Sequence, residues 1–147
     1  MSLKEQLTTA MKEAMKAKQS ERLGTLRMVI SAIKNKEIDK KGELDDAAVI
    51  DVLSSFVKQR REAADVYRKN DRLDMAESEE RELAIVQEFL PAQLDEAELK
   101  QLVDDVVAEL GAESMKDMGR VMKVLTEQTK GRADGRLVSD LVRAKLN

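Results

Sequence analysis

The chain has 147 residues and a net charge of −3, and it contains no Cys, no His and no Trp. These absences exclude disulfide frameworks, thiol nucleophiles and the usual zinc and di-iron ligand sets. They also remove the commonest general base near neutral pH, so the composition argues against a self-contained enzyme and predicts no metal and no cofactor.

Apolar residues recur at helical spacing along the whole chain, and no segment shows the sustained alternation of a strand. Ser2 and Glu5 form a capping-box pattern, which predicts the start of a first helix. Ser20 is expected to cap a second helix, which ends near residues 40–42.

A third and longer helix is predicted to begin at Asp45 or Asp46 and to end at a corner formed by Asn70-Asp71. A fourth helix then runs to about Leu90. Proline disfavours helical geometry at the residue before it, so Pro91, the only proline in the chain, is expected to mark a boundary.

The helical pattern restarts after that proline. A second capping-box pattern begins at Asp95, and Gly111 suits the position just after a helix. A short helix is predicted to start at Ser114 or Asp117, and a turn-rich stretch leads to Asp134, the expected cap of a last helix.

This pattern predicts an all-α fold, with an N-terminal four-helix domain at residues 1–91 and a small three-helix domain at residues 92–147. With 42% hydrophobic residues, the chain has enough apolar surface to bury a core. No apolar run approaches the roughly 20 residues that span a bilayer, and the N-terminus shows no signal-peptide pattern. We therefore expect a cytoplasmic protein with no membrane partner.

Charge is unevenly distributed along the sequence. Residues 95–111 carry one basic and six acidic side chains, whereas residues 112–147 carry eight basic and five acidic side chains. The excess of positive charge is therefore confined to the C-terminal quarter of the chain.

Two other sets of residues have competing interpretations. Glu77, Glu79, Glu80 and Glu82 suit a metal or acid–base site, but without His partners a solvated helix face is favoured. The methionines at helical spacing are interpreted as core filling in a chain with few aromatics: Met11, Met15, Met28, Met115, Met118 and Met122.

A basic strip follows the third predicted helix and its exit. Its members are Lys58, Arg61, Arg68 and Arg72. Acidic residues lie three or four positions away, which favours a surface crossed by ion pairs. A strip that contacts phosphate groups is the alternative.

The strongest local signal is a cluster of cations and glycines near the start of the last predicted helix. Its residues are Lys123, Lys130, Gly131, Arg132, Gly135 and Arg136, and Arg143 and Lys145, toward the end of that helix, are added as further candidates. Free backbone N–H groups and the positive end of the helix dipole favour phosphate there, and Arg can bind two phosphate oxygens at once. A capped turn with solvated cations fits the same pattern.

Residues 117–142, DMGRVMKVLTEQTKGRADGRLVSDLV, resemble the GatB/YqeY tail domain of the B subunit of glutamyl/aspartyl-tRNA amidotransferase. Three further segments resemble stand-alone proteins of the YqeY family: LRMVISAIKNKEI (26–38), VKQRREAADVY (57–67) and EFLPAQLDEAEL (88–99). The resemblance covers nearly the whole chain, with several motifs in the same order.

The resemblance implies an all-helical protein whose tail is related to tRNA binding. It also implies carbon–nitrogen ligase activity with glutamine as the amide donor. Glutamine hydrolysis requires an activated nucleophile and an oxyanion hole, and neither the nucleophile pattern nor a nucleotide-phosphate loop is present in the sequence.

Three functional hypotheses remain open at this stage. The first is a non-catalytic adaptor that binds tRNA through the cation cluster. The second is a ligase component that is active only beside a partner. The third is a helical interaction module that docks on an aminoacyl-tRNA synthetase or an amidotransferase subunit.

Overall fold

The computed structural model describes residues 1–147, which form seven α-helices, one short 3-10 helix and no strand. The predicted all-α class is therefore confirmed. The helices are α1 (Leu3–Lys16), α2 (Ser20–Lys40), α3 (Asp46–Lys69), α4 (Leu73–Gln87), α5 (Glu96–Leu110), α6 (Met118–Thr129) and α7 (Gly135–Leu146), with the 3-10 helix at Met115–Asp117.

The chain divides into two compact units, Met1–Leu90 and Pro91–Asn147, which we call the N-terminal unit and the tail unit. Helices α1 to α4 lie in the first and α5 to α7 in the second. Whether each unit folds as an independent domain stays a prediction.

The N-terminal unit is built on α3, which packs along α4, while α1 packs on α2. Its core contains fully buried aliphatic side chains from every helix, including Leu7, Leu26, Leu53 and Val86. Truncation of a buried leucine to alanine costs about 2–5 kcal/mol in such a core, so these contacts supply much of the stability.

Most helices of this unit begin where the capping signals in the sequence predict. The Ser2 hydroxyl accepts a hydrogen bond from the Glu5 N–H, and the Asp45 carboxylate accepts one from the Ala48 N–H. Ser20, however, is the first residue of α2 and makes no capping hydrogen bond, so its predicted role as a cap is wrong.

The end of α4 also differs from the prediction. The helix stops at Gln87 and not near Leu90. Phe89 and Leu90 instead donate to the carbonyl groups three residues earlier, in two successive tight turns that precede Pro91. The helix therefore ends three residues earlier than predicted, and the two turns separate it from Pro91.

The tail unit has its own core, in which Leu99, Val121, Leu125 and Val142 are fully buried. The Asp95 side chain caps α5, and Gly111 ends that helix in the left-handed conformation, with φ of 62°, as expected from the sequence. Ser114 caps the 3-10 helix that leads into α6.

Half of the methionines predicted to fill the core are exposed. Met15, Met28 and Met115 keep 40–48% of their surface exposed. The prediction is wrong for these three residues. Met11, Met118 and Met122 are half-buried against the two cores.

None of the helices combines the length and the apolar composition that crossing a bilayer demands.

Candidate nucleic-acid interface

The predicted cation cluster surrounds a turn at residues 130–134, which connects α6 to α7. We call this segment the basic turn. Thr129, the last residue of α6 before the turn, is buried, and its hydroxyl donates to the Leu125 carbonyl at 2.7 Å. The Arg132 and Ala133 N–H groups then donate to the Thr129 carbonyl, and Gly131 takes a positive φ of 72°. Glycine adopts that conformation at little cost, so its position in the motif has a structural reason.

The far end of the basic turn begins α7. The Asp134 carboxylate caps the helix by accepting a hydrogen bond from the Arg136 N–H at 3.0 Å. This confirms the expected cap. A carboxylate already occupies part of the positive end of the helix, so the helix N-terminus is not an empty anion site.

The basic turn is held against residues 92–94 by three hydrogen bonds. Arg132 Nε donates to the Ala92 carbonyl at 3.0 Å, and Gln93 Nε2 donates to the Gly131 carbonyl at 2.6 Å. The Leu94 N–H donates to the Arg132 carbonyl at 2.9 Å. Residues 92–94, which lie outside the turn in the sequence, therefore hold the cation-bearing turn in place.

Arg132 is half-buried as a result, and its Nε atom is engaged by the backbone. The sequence assigned this residue to phosphate contact. The structure shows that Arg132 Nε also holds the turn in place, a role that the local sequence gives no sign of, and contact of Arg132 with phosphate stays a prediction.

Two other cations of the cluster form ion pairs. Arg143 lies 3.5 Å from Asp140 in the same helix, and Lys145 lies 3.3 Å from Asp104 on α5. All four side chains are about half exposed, so each pair contributes at most about 1 kcal/mol and is screened by salt. Phosphate can compete with such partners.

Lys123 and Arg136 differ from the paired residues. Both side chains are exposed, and neither forms an ion pair. Lys123 lies on α6 and Arg136 in the first turn of α7, so they stand on the two helices that flank the basic turn. These two residues are the cations most ready to meet a polyanion.

The second predicted site, the basic strip of the N-terminal unit, is divided by acidic partners. Arg68 binds both carboxylate oxygens of Glu80 at 2.6–2.9 Å, and this hydrogen bonding raises the pKa of Arg68. Arg72 directs its guanidinium to Met75 Sδ at 3.0 Å, and Arg61 is half-buried. Lys58 is exposed. The Arg68–Glu80 pair agrees with an ion-paired surface, although its acid comes from α4 and not from a position three or four residues away, and phosphate contact by the strip stays a prediction.

A neighbouring residue, Arg60, takes part in a cluster that sequence reasoning missed. Its guanidinium lies between two carboxylates of α4, with Nη1 3.6 Å from Glu79 and Nε 3.1 Å from Glu82. The Phe56 ring centroid lies 4.5 Å from the guanidinium carbon. The Arg60 Nε and Glu79 Oε2 atoms are buried without a hydrogen-bond partner, so Coulomb attraction and cation–π contact hold this cluster together.

Glu79 and Glu82 therefore correct the prediction that the acidic run forms a solvated face. Only about a fifth of each side chain is exposed, and burial raises the pKa of Glu82. Glu77 is exposed as expected. A signal was available, because Arg60 falls on the apolar stripe of α3 between Phe56 and Ala64, where a charge requires a partner.

No group of three or more acidic side chains is arranged to hold a metal ion.

The structure thus defines a class: an all-α protein with two helical units, whose second unit presents cations around a fixed glycine-containing turn. The chain belongs to the Yqey-like protein family, whose model matches residues 4–146.

Curated relatives of the chain are fungal proteins named "Altered inheritance of mitochondria protein 41, mitochondrial". The protein from Lachancea thermotolerans is 40% identical over 68% of this chain and 55% of its own length. The one from Vanderwaltozyma polyspora is 34% identical over 74% and 62%. A third, from Clavispora lusitaniae, is 32% identical over 82% and 72%.

The chain thus spans little more than half the length of the first of these relatives. Their printed name places those proteins in mitochondria, so the cytoplasmic location expected for this chain is not confirmed.

Proposed function

We propose that the protein is a non-catalytic adaptor that binds the phosphate backbone of tRNA, or of RNA of similar shape, through the tail unit. The observation that carries the proposal is the pair Lys123 and Arg136: both are exposed and unpaired, and they lie on the two helices joined by a turn that is fixed in place. The resemblance of residues 117–142 to an amidotransferase tail domain supports RNA as the polyanion.

We expect the protein to recognise the shape and the phosphate backbone of the RNA. The chain has two Phe, one Tyr and no Trp, so few side chains are available to stack on unpaired bases. Phosphate contact by a few cations gives moderate affinity that falls steeply with salt, because each contact releases counterions from the RNA.

Both cytoplasm and mitochondria contain tRNA, so the proposed activity suits either compartment. The name shared by the fungal relatives favours a mitochondrial setting over the cytoplasmic one expected from the sequence.

An electrophoretic mobility shift with total tRNA at low and moderate salt tests the proposal. The double variant Lys123→Glu/Arg136→Glu is expected to lose the shift. The matched control is Lys12→Glu/Lys16→Glu, which makes the same charge change at two exposed lysines of α1. No shift for the wild type at low salt, or an equal loss in both double variants, would contradict the proposal.

The carbon–nitrogen ligase activity that the resemblance implies stays a prediction. Release of ammonia from glutamine by the purified protein, with and without charged tRNA, is the assay for it.

A further inference from the structure

Gln93 is an exposed residue of the segment 92–94, and its side-chain amide is held at both N–H groups. Nε2 donates to the Pro91 carbonyl at 3.0 Å and to the Gly131 carbonyl at 2.6 Å. Because both partners are carbonyl oxygens, the nitrogen and not the oxygen of the amide must face them. The side chain of Gln93 is therefore a fixed part of this surface and not a freely rotating group.

The amide oxygen of Gln93 is left as an oriented acceptor. Oε1 receives no hydrogen bond from the protein. An amide is planar, so the two bonds that Nε2 donates also fix the direction of Oε1. The neighbouring carbonyl groups of Ala92, Gly131 and Arg132 already accept hydrogen bonds. Oε1 thus keeps both of its lone pairs for a ligand.

This acceptor lies beside the cations of the basic turn. Gln93 is bonded to a segment that carries Lys130 and Arg132. The acid that follows residues 92–94, Asp95, and the acid of the turn, Asp134, each cap a helix by accepting a hydrogen bond from a backbone N–H. A polyanion that binds to these cations therefore lies next to Oε1.

The chemistry of an acceptor among cations restricts the polyanion. Phosphate groups of a nucleic-acid backbone have no proton to donate, so Oε1 cannot bond to the groups that the cations attract. The ribose 2′-hydroxyl does donate, and it is the group by which a protein distinguishes RNA from DNA. Each nucleotide of RNA presents this hydroxyl close to its phosphates. A fixed acceptor at this place therefore suits the backbone of RNA and not that of DNA.

We propose that Gln93 Oε1 accepts a hydrogen bond from a ribose 2′-hydroxyl and makes the tail unit selective for RNA over DNA. This inference rests on the proposed function, because the cations of the tail unit must first hold a nucleic-acid backbone. It adds a specificity-determining residue to the interface and narrows the ligand to polymers that carry 2′-hydroxyl groups.

The test compares two tRNA molecules of the same sequence, one with natural ribose and one with 2′-fluoro in place of each 2′-hydroxyl. Fluorine preserves the sugar conformation of RNA and has no proton to donate. Fluorescence anisotropy with the full chain gives the two association constants, and their ratio, hydroxyl to fluoro, is the quantity compared. Any change in RNA shape affects every protein variant alike, so a difference in this ratio between variants reports the protein contact.

Two substitutions separate the acceptor from the positioning of the turn. Gln93→Lys keeps a donor for the Gly131 carbonyl and removes the acceptor, and it is expected to lower the ratio by about three- to tenfold, which corresponds to one neutral hydrogen bond. Gln93→Met removes donor and acceptor, so it lowers both association constants and also the ratio. Gln128→Lys makes the same charge change at an exposed position of α6 and is expected to keep the wild-type ratio.

A wild-type ratio in Gln93→Lys would overturn the inference. An equal fall of both association constants in Gln93→Met, with an unchanged ratio, would show a purely structural role and overturn it as well. Failure of the wild type to bind either tRNA would contradict the proposed function and this inference with it. Binding that depends on Lys123 and Arg136, with a ratio that does not depend on Gln93, would contradict this inference alone.

Discussion

Arg132 Nε donates a hydrogen bond to the carbonyl oxygen of Ala92 at 3.0 Å, across forty residues of sequence. This contact joins the cation-bearing turn of the tail unit to the segment that follows Pro91. The motif that the sequence singled out for phosphate binding therefore also helps to build the turn, and the proposed phosphate contacts rest chiefly on Lys123 and Arg136.

The attachment of residues 92–94 to the basic turn predicts a stability effect at Gln93. Gln93→Ala removes the hydrogen bond to the Gly131 carbonyl and is expected to cost about 1 kcal/mol in the free energy of unfolding. Urea denaturation measures it. Gln128→Ala, at an exposed position of α6, is the matched control and is expected to change stability by less than about 0.5 kcal/mol. Equal effects of the two substitutions would contradict the assignment.

The Arg60 cluster predicts a larger effect in the N-terminal unit. Arg60→Ala leaves Glu79 and Glu82 largely buried without their cation and is expected to destabilise the protein by about 2 kcal/mol. Arg81→Ala, which breaks an exposed pair with Glu21, is expected to cost less than about 1 kcal/mol. Thermal unfolding of both variants gives the comparison.

A rescue experiment separates charge from packing at this cluster. If the two unpaired carboxylates cause the loss, neutralising them by Glu79→Gln and Glu82→Gln in the Arg60→Ala background restores part of the stability. A triple variant with the same stability as Arg60→Ala would instead show that lost packing against Phe56 dominates.

Asp117 predicts how stability responds to acid. The Glu113 N–H and the Arg120 guanidinium donate to its carboxylate and lower the pKa of Asp117 below the usual Asp range. A group with a depressed pKa stabilises the fold above its unfolded pKa and loses that contribution as pH falls toward the folded pKa. Asp117→Asn is therefore expected to flatten the loss of stability below about pH 4. Denaturation measured across pH is the test. If the stability of Asp117→Asn falls as steeply below about pH 4 as that of the wild type, the prediction is wrong.

The two cores predict that the tail unit folds alone. All residues of its hydrophobic core lie between Leu94 and Leu146, so a fragment of residues 91–147 keeps every core contact. A cooperative thermal transition by circular dichroism is expected for that fragment. A non-cooperative melt would show that the tail unit depends on the rest of the chain.

Much of the fold follows from local rules in the sequence. The caps at Ser2, Asp45, Asp95 and Asp134 were predicted because each requires only a side-chain oxygen near the first free N–H groups. The prediction for Ser20 is wrong because the residue types at a helix start do not determine which of them takes the capping position. Local chemistry thus predicts where helices lie better than where each one begins.

The candidate site was less predictable, because its key contacts join distant parts of the chain. No local pattern reveals that Gln93 reaches Gly131, and the position of Arg60 on an apolar stripe indicates that it needs a partner but not that the partners are Glu79 and Glu82. Periodicity shows which face of a helix is apolar, and the packing of helices decides which charges that face meets.

The salt dependence of RNA binding tests the central claim most directly. Association constants for tRNA, measured by fluorescence anisotropy across salt concentrations, are compared for the wild type, Lys123→Gln/Arg136→Gln and the control Lys12→Gln/Lys16→Gln. Each lost phosphate contact reduces the slope of log K against log salt by about 0.7–0.9. We predict that the tail variant loses about 1.5 in slope and the control loses nothing. An unchanged slope in the tail variant would contradict the assignment of Lys123 and Arg136 to phosphate contact.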